Sequence, residues 1–246
     1  MDKVILTPEN IGREHICCAM SDKKSADGVE AKKEWLTCRM KEGLKFIKLD
    51  VRGKVFIEYL PAEYAWVPVE ADGYPFINCL WVAGSFKGHG YGRELLETCE
   101  EDVAATNGVV VMVGKKKLPY LSDKAFFIKH GYEVCDACAP NIELLVKRFR
   151  QDAPLPRFKA CASAGLGDDV KGIDIFYTVQ CPFTMPYIKL LEPVIQAASV
   201  PVRVHPITTR EMAREHRAPH TTYCVFVDGK FYTREVLTPA KLQKLL

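Results

Sequence analysis

A glycine-rich turn between an apolar segment and an amphipathic segment, within residues 80–96, constrains the fold of this chain more than any other feature. The apolar segment ends at Leu80-Trp81-Val82 and is rich in residues that favour β-strands. After the turn, apolar residues recur at the spacing of a helix, at Tyr91, Leu95, Cys99 and Val103. The pattern predicts a buried strand, a tight turn and a helix in direct succession.

The turn carries glycine at three alternate positions, Gly88, Gly90 and Gly92. Because glycine has no Cβ, a ligand can lie directly against the backbone there. The first amides of a helix have no partner within the helix and point outward together, which makes an anion site. Lys87 and Arg93 add positive charge, so the segment predicts a cradle for phosphate or pyrophosphate.

Other glycine-rich loops fit this segment less well. A dinucleotide fingerprint requires a third glycine where Arg93 stands, and a nucleoside-triphosphate loop requires a Gly-Lys-Ser/Thr ending that this turn lacks. A tight turn that binds nothing remains an alternative at this point.

Length and composition favour a cytoplasmic protein of two domains. A chain of 246 residues suits two domains, and a formal charge of +3 gives no argument for a bulk electrostatic nucleic-acid binder. No apolar run approaches the roughly 20 residues that span a bilayer, and the N-terminus lacks the apolar stretch of a signal peptide. The ten cysteines are therefore expected to be reduced thiols.

Within residues 1–150, hydrophobic periodicity and turn residues predict the element order β-α-α-β-β-β-α-β-α-β-β. The first helix is predicted to begin at Asn10 and to run towards Met20, and the second to cover residues 29–44. Residues 109–113 are β-branched and apolar for the most part, as in a central strand.

The motif Lys87-Gly88-His89-Gly90-Tyr91-Gly92 resembles motif A of the GNAT N-acetyltransferases, Gln/Arg-x-x-Gly-x-Gly/Ala. Residues 122–132, a capped helix ending in Gly-Tyr, are similar to the motif B helix of that family. The element order is also that of the family. The resemblance implies an α/β (α+β) fold of the GNAT acyl-CoA N-acyltransferase type, with a mixed central sheet, over residues 1–150.

The resemblance also implies how acetyl-CoA would be held. Amides of Val82, Ala83 and Gly84 would bind the pantetheine arm as a neighbouring strand does, and one of them would polarise the thioester carbonyl. The pyrophosphate would lie on the three glycines and their neighbours, namely Lys87, His89, Tyr91 and Arg93. Ser122 is the rough counterpart of the asparagine that the family places near the cofactor.

The catalytic residues are less well defined by the sequence. Phe127 occupies the place where many relatives carry a tyrosine that protonates the departing CoA thiolate, so Tyr120 is the candidate for a displaced acid. A general base must take the proton of the attacking amine. Glu70, just upstream of the motif strand, is the candidate, with Asp72 and Glu63 as competitors.

The CxxC sequence at Cys135 and Cys138 predicts no metal site, because the chain has no second CxxC to complete zinc coordination. His216 and His220 have HxxxH spacing but lie far downstream. Structural coincidence is the favoured interpretation of the CxxC.

Residues 151–171 contain prolines and glycines with few large apolar side chains, and are predicted to be a linker. Residues 172–246 predict the order β-α-β-α-β-β-α, which resembles the thioredoxin or glutaredoxin fold. Cys181 falls where that family places its active cysteine, before the first helix, but Thr184 stands in place of the resolving cysteine. Thr221 stands near the place where that family has a cis-proline before its third strand. The two parts together resemble GNAT proteins with a YoaP-type C-terminal domain.

The sequence thus predicts an acetyl-CoA-dependent N-acetyltransferase that acts on a primary amine of a small molecule or peptide. No metal, nucleic acid or membrane is expected to take part, and an oligomer is possible. The alternative hypothesis is a thiol-redox or CoA-binding adaptor protein that uses Cys181.

Overall fold

The computed structural model describes residues 1–20 and 22–246, which form two compact units. The first unit comprises Met1–Cys18, Leu36–Ala65 and Val69–Lys159. The second comprises Ala19–Trp35, Trp66–Pro68 and Ala160–Leu246. Two short segments from the N-terminal half of the chain therefore fold with the C-terminal residues.

The strands of the first unit are β1 (Lys3–Ile5), β2 (Lys45–Leu49), β3 (Val55–Pro61), β4 (Val69–Glu70), β5 (Pro75–Val82), β6 (Gly108–Gly114), β7 (Glu133–Cys138), β8 (Ile142–Arg148) and β9 (Arg157–Phe158). Its helices are α2 (Tyr91–Asp102), α3 (Lys124–Lys129) and the last turns of α1 (Ala26–Met40), with 3-10 turns at Ala62–Tyr64 and Gly84–Phe86. Seven of these strands form a sheet in the order β1-β2-β3-β5-β6-β8-β7. Strands β5 and β6 are parallel and the other neighbours antiparallel, which confirms the predicted mixed central sheet.

Local sequence explains the central elements. The valine run of β6 is buried in the middle of the sheet, as β-branched side chains favour. Helix α2 buries Leu95, Leu96 and Cys99 against that sheet. Helix α3 begins after Asp123, whose carboxylate accepts a hydrogen bond from the Ala125 amide at 2.9 Å.

The helix predicted from Asn10 towards Met20 is wrong. The residues from Pro8 onward form turns, and Cys17 and Ala19 have φ angles of 61° and 55°, which a right-handed helix cannot contain. The Asn10 side chain accepts a hydrogen bond from the Thr7 amide and donates one to the Ile5 carbonyl, both at 2.9 Å. Such bonds to nearby backbone groups compete with helix formation.

The segment predicted as a linker contains β9, which pairs with β4, and a 3-10 turn at Ala160–Ser163. Asp136 accepts a hydrogen bond from the Phe158 amide at 2.7 Å. The first part of this segment therefore has regular structure in the first unit.

The second unit contains the start of α1, a 3-10 turn at Lys23–Ser25, and β10 (Ile173–Tyr177), α4 (Thr184–Gln196), β11 (Val202–Pro206), α5 (Arg210–Arg214), β12 (Tyr223–Val227), β13 (Lys230–Thr233) and α6 (Pro239–Gln243). Its sheet has the order β11-β10-β12-β13, with β10 and β11 parallel and the other pairs antiparallel. One face packs Ile175 and Val225 against Leu191 of α4 and Leu242 of α6.

Candidate functional site

The glycine loop after β5 leaves its backbone accessible from one side. Gly84, Gly88 and Gly90 have φ angles of 61°, 83° and 81°, a left-handed conformation that favours glycine. A Cβ added at any of the three would meet no atom within 4 Å. Gly90 precedes the first residue of α2, so the opening amides of that helix start at the same place.

Strand β5 extends past its pairing with β6. The two strands pair at Phe76↔Val110 and Ile77↔Val111, and β5 continues to Val82. On its other side, β5 stays paired with β3 as far as Val55↔Val82. Beyond Ile77, the β6 side of β5 is therefore open, and an extended arm of a ligand could lie there next to the glycine loop.

A cleft of about 1250 Å³ opens between the end of β5, the glycine loop, α2 and α3. Its walls include the motif residues Val82, Lys87, Gly88, Gly90, Tyr91, Gly92 and Arg93, together with Leu80, Phe86, Leu96, Lys117, Ser122, Phe126 and Phe127. The structure therefore brings together most of the predicted cofactor-binding residues. Ala83, Gly84 and His89 lie in the same loop but outside this lining, and the His89 ring stacks on Tyr91 with 5.8 Å between centroids.

The cleft has more positive than negative side chains. Lysine and arginine contribute five of its lining residues, and glutamate and aspartate contribute three. Arg93 pairs with Glu97 at 2.7 Å, and Lys147 pairs with Glu100 at 2.6 Å. This surplus of positive charge suits an anionic ligand.

Phe127 is fully buried where it lines the cleft. Its ring lies edge-on to Tyr132, with 5.0 Å between centroids. Burial, with the nearby Glu100 carboxylate, raises the pKa of the Tyr132 hydroxyl well above its usual value. This end of the cleft therefore has the apolar ring of Phe127, and the Tyr132 hydroxyl behind it stays protonated.

Glu70 and Tyr120, the predicted base and acid, do not line the cleft. Glu70 lies on β4 and accepts a hydrogen bond from Arg157 Nε at 2.5 Å. Tyr120 is 63% exposed in a turn with a φ angle of 58°. The structure does not bring these two residues together with the motif residues.

Sequence reasoning missed Glu58, a buried carboxylate on β3 opposite Cys79 of β5. The register shifts after Glu58, so that Asn78 is the extra residue of a β-bulge in β5. Asn78 Nδ2 donates a hydrogen bond to Glu58 Oε1 at 3.0 Å. A lone glutamate among apolar strand residues was the signal that could have identified it.

Cys135 and Cys138 both lie on β7, and each thiol donates a hydrogen bond to a backbone carbonyl. Burial raises the pKa of Cys135 to about 12, so this thiol stays protonated. Across the described residues, no group of three or more His, Cys, Asp or Glu side chains could hold a metal ion.

In the second unit, Cys181 is half-buried in the loop between β10 and α4. Helix α1 lies against this loop, since a Cβ added at Gly28 would come within 2.0 Å of the Pro182 carbonyl oxygen. Asp27 and Lys189 form an ion pair at 2.6 Å beside that contact. The hydroxyl of Thr184 donates to the carbonyls of Thr178 and Cys181 at 2.7 and 2.8 Å.

His216 and His220 are buried in the second unit. His216 Nε2 lies 3.0 Å from Cys224 Sγ. Burial lowers the pKa of His216 to about 4 and that of His220 to about 3, with Arg234 and His216 lowering the latter further. Both imidazoles are therefore neutral at pH 7.

Two protein families match this chain. The family described as Acetyltransferase (GNAT) matches residues 14–132, and the family described as YoaP-like matches residues 201–244. A curated relative is 42% identical over 243 residues, which cover 98% of this chain and 96% of the relative. The chain belongs to the GNAT family and is an N-acetyltransferase with a YoaP-like C-terminal region. The relative is named "Uncharacterized N-acetyltransferase YoaP" and comes from Bacillus subtilis (strain 168).

Solved structures with similar folds include an aminoglycoside 6'-acetyltransferase type Ii, 16% identical with a TM-score of 0.44, covering 62% of this chain and all of that chain. Another is the GNAT family N-acetyltransferase YhbS of Escherichia coli in complex with CoA, which is 15% identical with a TM-score of 0.42. The match covers 64% of this chain and 88% of that chain. No helix in the described part of the chain is both long and apolar enough to cross a membrane.

Proposed function

We propose that this N-acetyltransferase binds acetyl-CoA in the cleft beside the glycine loop and transfers the acetyl group to a primary amine. The observation that carries the proposal is the open, left-handed backbone at Gly84, Gly88 and Gly90, next to the start of α2. Acetyl-CoA supplies an acetyl group activated as a thioester.

The first amides of α2 and the loop glycines hold the pyrophosphate, since unpaired N–H groups and the positive end of the helix dipole favour an anion. Lys87 and Arg93 provide cationic side chains at the same wall. Ser122 also lines the cleft and is proposed as a polar contact to the cofactor.

The end of β5 holds the extended arm of the cofactor through backbone hydrogen bonds, in the manner of a neighbouring strand. The brief pairing of β5 with β6 supports this assignment. An amide at Val82 or Gly84 polarises the acyl carbonyl. The Ala83 amide is not available for this role, because it donates to the Lys54 carbonyl at 2.9 Å.

The amine must lose a proton as it forms the new C–N bond, while the C–S bond breaks and the electron pair leaves with sulfur. We propose Glu58 as the proton acceptor in preference to Glu70. Neither glutamate lines the cleft, but Glu58 lies opposite the bulge at Asn78, which is two residues before the lining residue Leu80 on β5. Glu70 lies on β4 and is paired with Arg157. Tyr120 remains the candidate for protonating the thiolate, through water, because Phe127 has no proton to donate.

Residues 1–150 are proposed as the catalytic domain, 151–171 as a connection and 172–246 as a thioredoxin-like domain. The strand order β11-β10-β12-β13, with α4 connecting the parallel pair, supports the thioredoxin-like assignment. Helix α1 covers the Cys181 loop, which supports a docking role for this domain over thiol-redox activity.

The experiment is calorimetric titration of acetyl-CoA into the wild-type protein, Gly90→Asp and Gly90→Asn. Aspartate and asparagine have the same size and both tolerate a left-handed backbone, so the pair isolates the negative charge. We expect saturable binding by the wild type, weakened at least tenfold more in Gly90→Asp than in Gly90→Asn. Equal affinities of the two variants would contradict a pyrophosphate at this loop.

A further inference from the structure

The turn between β2 and β3 lies beside the start of the glycine loop. Within this turn the Gly53 amide donates to the Val51 carbonyl at 2.9 Å. The carbonyl of the next residue, Lys54, accepts a hydrogen bond from the Ala83 amide at 2.9 Å. The turn and the residue that enters the loop are therefore joined directly through the backbone.

Gly53 is needed at this turn for space. A Cβ added there would come within 2.3, 2.9 and 3.0 Å of Cε2, Cδ2 and Cζ of Phe86, whereas ordinary contacts to a Cβ begin near 3.4 Å. Gly53 does not have a left-handed φ angle, so an alanine could adopt its backbone conformation. The three atoms nearest to such a Cβ all belong to the Phe86 ring.

Phe86 links the turn to the cofactor cleft. It ends the 3-10 turn Gly84–Phe86, lines the cleft, and packs at the edge of the first unit's core. Its ring lies 6.4 Å from that of Tyr91, the first residue of α2. The flanking Gly84, Gly88 and Gly90 have no side chains with which to fix the loop, so Phe86 is its apolar anchor.

We propose that Gly53 and Phe86 form a brace that holds the glycine loop in the conformation that binds the cofactor. Gly53 and Phe86 are positioning residues in this inference, which rests on the proposed cofactor site. A side chain at position 53 pushes the ring towards the cleft and displaces the loop, so cofactor affinity falls although no cofactor-binding residue has changed.

The test is a double-mutant cycle in the full chain, with the Kd of CoA measured by calorimetry for the wild type, Gly53→Ala, Phe86→Leu and Gly53→Ala/Phe86→Leu. We expect Gly53→Ala to raise the Kd at least tenfold in the wild-type background. In the Phe86→Leu background, where the ring is gone, the same change should raise the Kd less than twofold. Gly12→Ala is the matched control, since a Cβ at Gly12 meets no atom within 4 Å and its φ angle is not left-handed.

A Kd unchanged by Gly53→Ala, or raised equally in both backgrounds, overturns the brace while the cofactor site stands. Absence of CoA binding by the folded wild type overturns both the cofactor site and the brace. If Gly53→Ala alone fails to fold, Phe86→Ala provides the test, because removal of the anchor should also weaken CoA binding at least fivefold. Unchanged affinity in that variant overturns the inference.

Discussion

Lowering the pH from 7 to 5 should destabilise the second unit through His216 and His220. Both imidazoles are buried among aromatic rings, with Phe176 4.9 Å from His216 and Phe231 6.0 Å from His220, centroid to centroid. Burial lowers their pKa values to about 4 and about 3, from 6.5 in the unfolded chain. At pH 5 both are therefore neutral when folded and protonated when unfolded.

The sign and size of the effect follow from proton linkage. Because the unfolded state binds more protons below pH 6.5, the stability that these groups contribute is complete above that pH and decreases as the pH falls. Each group loses about 1.4 kcal/mol per pH unit, or about 2 kcal/mol between pH 6.5 and pH 5. Together they remove about 4 kcal/mol, a large fraction of the roughly 5–15 kcal/mol that stabilises a typical domain.

The assay is urea unfolding at pH 7 and pH 5, followed by tryptophan fluorescence in a Trp81→Phe background. The two remaining tryptophans, Trp35 and Trp66, both belong to the second unit. His220→Gln should halve the loss of stability, and His89→Gln, an exposed histidine of the first unit, should leave it unchanged. A wild-type loss below about 1 kcal/mol, or an undiminished loss in His220→Gln, would refute this reasoning.

Three further changes test other contacts. Gly28→Ala should destabilise the second unit by about 1–3 kcal/mol in urea unfolding, because the clash with the Pro182 carbonyl outweighs the better helix propensity of alanine. Cys181 should also be alkylated faster than in the wild type or in the Gly12→Ala control. An unchanged stability and alkylation rate would show that α1 does not cover the loop. Burial alone would raise the pKa of the buried Asp174, but hydrogen bonds from Arg203 and His205 lower it overall. Asp174→Asn should therefore cost about 2 kcal/mol at pH 7 and less near pH 3, because the stability that the carboxylate contributes decreases once the pH falls below its pKa in the unfolded chain. A cost independent of pH would contradict this account. Glu58→Gln should reduce turnover about 100-fold and Glu70→Gln less than about threefold, as measured by CoA release over a panel of primary amines. The reverse order of the two effects would assign the base to Glu70.

The glycine loop could be predicted from sequence because its determinants are contiguous. Strand residues, three glycines and the amphipathic helix occur in direct succession, and the left-handed angles at Gly88 and Gly90 follow from glycine's freedom from a Cβ clash. That Phe127 stands where many GNAT relatives carry a tyrosine came from the family resemblance and stays a prediction. The helix expected after Asn10 failed because local side-chain hydrogen bonds and two left-handed residues, Cys17 and Ala19, took the place of helical backbone bonds.

The sequence by itself determined the family motif and the position of the glycine loop, since strand periodicity and glycine conformation act over a few residues. The mixed sheet was expected only from the resemblance to the GNAT family. Only the tertiary structure placed Glu58 opposite the bulge at Asn78, closed the cleft with α3, and brought α1 against the Cys181 loop. It also set the Phe86 ring on Gly53. These contacts join residues distant in the chain, and they depend on strand register and side-chain packing that no local pattern specifies.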